Sequence, residues 1–244
     1  MVPADEHDGG RGGGPGGGPG AGVADVTGAA CPAPAGGGDV VELAHGGGGR
    51  RMHELVRSVF LEAFGDPLET RGHDGAVFEA AGARLAFTTD AYVVQPLEFA
   101  GGDIGTLAVH GTVNDLLMCG ARPRYLSASF VLEAGLGIDT LRRVVASMRR
   151  AADGAGVAIA TGDTKVVQRA RGDGMYITTS GVGEVEAREP IGPARVAPGA
   201  AVILSGDIAR HGIAVMAARE GLELEQPIET DSASLGPAVR SEEH

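Results

Sequence analysis

Apolar positions recur along the chain from about residue 45 onward, and their spacing changes from one segment to the next. Leu55, Val56, Val59, Phe60, Ala63 and Phe64 fall at helical intervals after Gly46-Gly47-Gly48-Gly49 and Arg50-Arg51, which predicts a helix of about three turns ending near Gly65 and Pro67. Two short runs follow, Ala76-Val77-Phe78 and Leu85-Ala86-Phe87-Thr88-Thr89. The second stops at Asp90 and resumes as Tyr92-Val93-Val94, and both read as strands. Ile104, Leu107, Ala108, Leu116 and Leu117 then mark a second helix, with Asp103 as its N-cap and Gly120 as its stop. A strand from Tyr125 to Leu132 comes after Pro123.

The third helix has the clearest pattern. Ile138, Leu141, Val144, Val145, Met148, Ala151 and Ala152 hold one face, and Arg142, Arg143, Arg149 and Arg150 hold the other. Val157–Ala160 reads as a short buried strand that ends in a turn, Thr161-Gly162-Asp163-Thr164-Lys165, and Met175–Val185 reads as another strand. A Pro/Gly boundary over 191–199 precedes a predicted strand Ala201–Leu204 and a helix over roughly Ala209–Glu220. Helices alternating with strands in this order predict an α+β domain with helices stacked on one face of a sheet. Residues 45–190 form that domain, and residues 191–244 begin a second, incomplete α+β domain. Residues 1–44 are rich in Gly and Pro and poor in large apolar side chains, so they read as a disordered leader.

Composition narrows the function. Eighteen of the 42 glycines lie within residues 1–50, which leaves the remainder close to an ordinary globular mixture. A net charge of −12 argues against a nucleic-acid surface, which needs clustered Lys and Arg. No apolar run is long enough to span a bilayer and no secretory signal pattern opens the chain, so a cytoplasmic protein is expected. Two cysteines, Cys31 and Cys119, make neither a disulfide framework nor a metal-finger spacing. Cys119 closes an apolar helix, which suits a small buried hydrophobe.

Three acids stand among small residues at the ends of predicted elements: Asp74, Asp90 and Asp115. Each alone suits a cap or a turn. Together they suit a hard cation such as Mg²⁺, which takes oxygen ligands and shares them with phosphates. Asn114-Asp115 interrupts an otherwise apolar helix, which fits either a site or an exposed helix face. Thr161–Lys165 combines a flexible turn, two hydroxyls, a carboxylate and a cation, the inventory that orients a triphosphate, yet its Gly-to-Lys spacing is not that of a Walker A loop. Gly46–Gly49 before a helix start is either a phosphate cradle or a flexible continuation of the leader.

Several of these segments, taken in order, resemble a known family. Phe87-Thr88-Thr89-Asp90, Pro96 to Gly105, His110 to Leu126, Thr161 to Val167 and Ser205 to Leu222 are similar to the hydrogenase maturation proteins of the HypE type, within the PurM-like, AIR synthase-related ATP-binding superfamily. The likeness runs from about His45 to Leu235. It implies a PurM-like N-terminal domain whose strands pair across a homodimer into a shared barrel, with ATP and Mg²⁺ bound against a C-terminal domain. It assigns Asp74, Asp90 and Asp115 to Mg²⁺. Gly47, Gly48, Thr89, Asn114, Thr161, Gly162, Asp163 and Thr164 are assigned to the nucleotide, and Lys165 to its phosphates as the catalytic cation. It further implies dehydration of a protein-bound S-carboxamide to thiocyanate, loading by a HypF-like carbamoyltransferase and delivery to a HypC–HypD scaffold.

Against that family the chain is expected to lack most of the C-terminal domain and its terminal cysteine, with Asp231-Ser232 standing where many relatives have Asp-Cys. A non-catalytic dimerisation and partner-binding module is therefore a second expectation. Another PurM-like ATP-dependent enzyme is a third.

Overall fold

The computed structural model describes residues 40–66, 68, 72–204, 206–222 and 225–241. Most of the leader read over 1–44, including Cys31, lies outside the described residues. The chain divides into two compact units, residues 1–58 and 59–244.

In the first unit a 3₁₀ turn, Leu43–Gly46, and the glycine run precede α1 (Arg50–Leu55); a π-helical turn, Val56–Leu61, contains the boundary, and α2 (Glu62–Phe64) belongs to the second unit. The helical reading of this segment holds, and Gly65 ends it at φ 73°. Phe60 and Phe64, one turn apart, stack with ring centroids 6.4 Å apart.

The second unit is built on a five-stranded sheet of order β1-β2-β7-β5-β6. Its strands are β1 (Ala76–Ala80), β2 (Ala83–Tyr92), β5 (Ala121–Glu133), β6 (Ala158–Val167) and β7 (Met175–Val185). A two-stranded ribbon, β3 (Glu98–Phe99) with β4 (Gly102–Asp103), leads into α3 (Ile104–Met118), and α4 (Ile138–Ala155) connects β5 to β6. The β5–β6 pair is parallel because α4 is its crossover, and the other pairs are antiparallel. α5 (Arg210–Glu220) and α6 (Gly236–Ser241) follow.

Both long helices lie on one face of the sheet, as the α+β reading requires. α3 is apolar on most sides because it is enclosed: Ile104, Ala108, Val109, Val113 and Leu116 are fully or almost fully buried. α4 turns Val144, Met148 and Ala152 inward and its arginines outward. Each fully buried side chain of this size contributes about 1.5–3 kcal/mol relative to exposure. At the start of α3 the Asp103 carboxylate accepts the Thr106 N–H at 2.8 Å, and the Ser147 hydroxyl from α4 donates to the same oxygen at 2.7 Å. One cap therefore ties the start of α3 to the middle of α4.

Two readings need correction. Thr161–Lys165 is not a turn after a buried strand. It lies inside β6, whose residues are exposed along almost their whole length because β6 is the sheet edge. Ala201–Leu204 forms no strand, and its side chains are exposed; a β-prone run without a neighbouring strand has no ladder to join. Among the described residues no helix is long and apolar enough to cross a membrane.

Candidate metal and nucleotide site

Alternation along β2 decides what faces the helices. Ala86, Thr88 and Tyr92 are buried against α3, and Asp90 shares their side of the strand at intermediate exposure. The end of α3 carries Asp115 to the same place, and Asp74 sits in the bend that enters β1. Thr88 joins the three segments: its Oγ1 lies 2.7 Å from the Asp74 carbonyl oxygen and 3.0 Å from Asp115 Oδ2. Asp90 receives a hydrogen bond on Oδ2 from the Tyr92 hydroxyl at 2.8 Å.

Burial first, then the charge of Asp90, pushes the Asp115 carboxyl up to about 6. The Asp74 charge and a hydrogen bond with Asp90 add to the rise, and the Thr88 hydroxyl opposes it. Beyond the effect of burial, the Asp90 and Asp74 charges place this carboxyl in negative potential that a divalent cation would relieve. The all-oxygen donor set suits Mg²⁺. Among the described residues no group of three or more His, Cys, Asp or Glu side chains is arranged to hold a metal ion, so the three acids do not form a protein-only metal site. Mg²⁺ ordinarily keeps several waters and takes phosphate oxygens, so one or two carboxylates are the usual protein share.

The predicted nucleotide residues divide between the two sides of the sheet. One row of register runs Asp90, Thr179, Ala128, Gly162, so Asp90 and β6 are separated by β7 and β5, roughly 14 Å at the usual strand spacing. Gly162 carries no side chain because it touches the strand beside it: an added Cβ would collide with the Ala128 carbonyl oxygen. Lys165 pairs in register with Val131, and Asp163 with Ser129, which puts both on the face away from the helices. Lys165 Nζ donates to Asp163 Oδ2 at 2.7 Å, and the Thr164 N–H donates to Asp163 Oδ1 at 2.8 Å. Lys165 in particular holds the Asp163 carboxyl below the usual carboxylate range. Thr89 and Thr161 lie on that outer face too, at the ends of a hydroxyl row, Thr89, Ser180, Ser127, Thr161, where the Ser180 hydroxyl donates to Thr89 Oγ1 at 2.9 Å.

Within one subunit, then, the aspartates and Lys165 are not brought together. The physical reason is the sheet order, which puts β2 and β6 on opposite sides of β7 and β5. Asn114 is engaged elsewhere: its amide donates to the Ala233 carbonyl at 2.9 Å and accepts the Leu235 N–H at 2.9 Å, tying the segment before α6 to α3. Gly47 and Gly48 belong to the first unit, where Gly48 takes φ 72° ahead of α1.

Sequence reasoning missed the buried hydroxyls beneath the acids: Thr88, Tyr92, Thr112 and Thr179. The signal was available, since Thr88, Asp90 and Tyr92 alternate on one face of a strand. Cys119 is almost fully buried, with Sγ 3.6 Å from His73 Nδ1, and burial pushes its thiol up to about 11, which leaves it a poor nucleophile.

Residues 72–185 match the family of AIR synthase related proteins, N-terminal domain. The carbamoyl dehydratase HypE of Cupriavidus necator is 50% identical over 200 residues, which are 82% of this chain and 57% of that protein. A solved HypE–HypF complex superposes with a TM-score of 0.71 at 43% identity, covering 76% of this chain and 60% of that one. A HypE solved in complex with ATP gives a TM-score of 0.64 at 48% identity, covering 83% and 60%. The chain thus spans somewhat under two thirds of the length of these relatives. From the acid-lined end of its sheet to the edge strand β6, the chain carries an AIR synthase-related N-terminal domain, and over 82% of its length it is similar to the carbamoyl dehydratase HypE.

Proposed function

We propose that the chain serves the ATP-dependent dehydration of a protein-bound S-carboxamide to a thiocyanate, the source of cyanide ligands for nickel–iron hydrogenase. The single observation that carries this reading is the meeting of three carboxyl-bearing segments, far apart in sequence, around the Thr88 hydroxyl. An amide oxygen leaves poorly. Once phosphorylated it departs as phosphate, the C–O bond breaks, and loss of the nitrogen-bound protons leaves the C≡N group. When bound, Mg²⁺ would neutralise the phosphate charge that develops in the transfer.

The residues divide the work by charge. Asp90 and Asp115 offer anionic oxygens to the cation, and Asp74 adds to the same potential. Lys165 is the phosphate contact, and reaching it means exchanging its ion pair with Asp163 for a phosphate oxygen. Because Lys165 and the acids are separated within one subunit, the functional form is a homodimer in which Lys165 of a second copy completes the site. The outer face of the sheet suits such pairing, since Phe87 and Tyr125 are exposed there. A HypF-like carbamoyltransferase is the partner that supplies the S-carboxamide, and a HypC–HypD scaffold receives the cyanide. The solved HypE–HypF complex supports the first of these partners.

Titration calorimetry with ATP, with and without Mg²⁺, tests the reading. Wild-type chain binds ATP in a Mg²⁺-dependent manner, and D90N and D115N lose the dependence. Equal Mg²⁺-dependent binding by all three proteins would overturn it.

A further inference from the structure

A column of buried hydroxyls stands directly beneath the acids. The Tyr92 hydroxyl is 2.8 Å from Asp90 Oδ2 and 3.3 Å from Thr112 Oγ1. Thr112 is 2.5 Å from Thr179 Oγ1, which donates to the Ala108 carbonyl oxygen at 3.0 Å. Thr112 and Thr179 have no exposed surface, and Tyr92 has 9%. The column is built around a close approach: a Cβ on Gly111 of α3 would overlap the Tyr92 hydroxyl oxygen, so the ring reaches Asp90 only because residue 111 has no side chain.

Counting protons orients the column. Each hydroxyl has one proton to give. Thr179 gives its proton to the Ala108 carbonyl, so Thr112 gives its own to Thr179. Tyr92 is left free to give its proton to Asp90 Oδ2, and the Thr112 oxygen, with its proton turned away, cannot donate back to Tyr92. The whole series therefore points a donor at one oxygen of Asp90. Such a donor fixes the carboxylate rotamer and leaves Oδ1 outside this bond. Groups that orient a metal ligand in this way typically change metal affinity by about 10–100-fold.

We infer that Tyr92 is a positioning residue that sets the Asp90 carboxylate for a divalent cation, with Thr112 and Thr179 directing its proton. This rests on the acid cluster being the cation site, and Mn²⁺ alone serves as the probe, so that no turnover is needed.

Electron paramagnetic resonance of free Mn²⁺ measures affinity in the wild-type chain and in Y92F, T112V and D90N. Y92F removes one oxygen and retains the ring. Mn²⁺ affinity is expected to fall about tenfold in Y92F. T112V leaves the Tyr92–Asp90 bond in place and is expected to stay within about twofold of wild type, although it is less stable to heat. Equal affinity in Y92F and wild type overturns the positioning role, and so does an equal loss in Y92F and T112V.

A measurement on the wild type alone removes the dependence on folding of the variants. With carbon-13 at the ring Cζ of the three tyrosines, Mn²⁺ broadens the Tyr92 signal well before those of Tyr125 and Tyr176. If Mn²⁺ binds, D90N weakens it and Tyr92 is not preferentially broadened, the positioning role fails while the cation site stands. If wild type and D90N bind Mn²⁺ alike or not at all, the cation site fails and the inference falls with it.

Discussion

The residue with the most to reveal is Asp115, because its environment opposes the charge it must carry to hold a cation. Its carboxyl is raised from 3.8 to about 6, chiefly by burial and then by Asp90. The native state therefore holds this proton more tightly than the unfolded chain does. The stability so contributed is complete below about pH 4 and is lost as pH rises through about 6. Asp115 is partly exposed, so solvent screening reduces the effect to about 1 kcal/mol. Thermal melts between pH 4.5 and 7.5 should show D115N gaining on wild type as pH rises, with the difference levelling off above pH 6–7. Mg²⁺ should stabilise wild type more at pH 7.5 than at pH 5, since protons compete for the same oxygens below the carboxyl's pKa. A constant difference between the two proteins across the range would mean that Asp115 titrates normally. The candidate acids could be read from the chain because carboxylates beside Gly and Thr break local rules. The hydroxyls under them left a signal only in the alternation of Thr88, Asp90 and Tyr92 along β2, and it went unread because Thr and Tyr in a strand look like ordinary β-formers.

Elements are where the sequence reading was most and least successful, for one reason. Local periodicity identified α3, α4 and β7 because their burial is imposed by the alternation of their own residues. It misjudged Thr161–Lys165 because an edge strand is defined by what lies on one side of it, and Gly, Asp and Thr suggest a turn when read alone. The β5–β6 ladder explains Gly162: a methyl group there would press on the Ala128 carbonyl, a backbone atom held by two strands. G162A is accordingly expected to lose about 1–3 kcal/mol in a denaturant titration, despite alanine's better propensity. Hydrogen exchange should speed up first at β6. Stability equal to wild type would show that the ladder yields without cost.

The same logic applies to Asn114, which the family resemblance assigns to the nucleotide and which serves as a clasp in the fold. N114A removes both bonds to residues 233 and 235. Proteolysis within 225–235 should accelerate several-fold while the core melts at nearly the same temperature. Unchanged cleavage would show that the two Asn114 bonds do not hold this segment.

At the scale of the whole molecule the question is how groups on opposite faces of one sheet serve one reaction. Sheet order fixes Asp90 and Lys165 on strands separated by two others, and strand alternation fixes them on different faces. No side-chain movement spans roughly 14 Å across two intervening strands. The proposed two-fold assembly would supply Lys165 from the other copy without altering either subunit, because an isologous interface repeats every contact twice. The arrangement has an arithmetic consequence. D90A and K165A homodimers each lack one component in both sites and should be inactive in Mg²⁺-dependent ATP turnover. When the two are unfolded together and refolded as an equal mixture, half of the dimers are mixed. Each mixed dimer has one site with both components and one with neither, so about a quarter of wild-type activity should return. If each subunit instead contained a complete site, every site in the mixture would still carry one of the two lesions, and activity would stay at the level of the inactive parents.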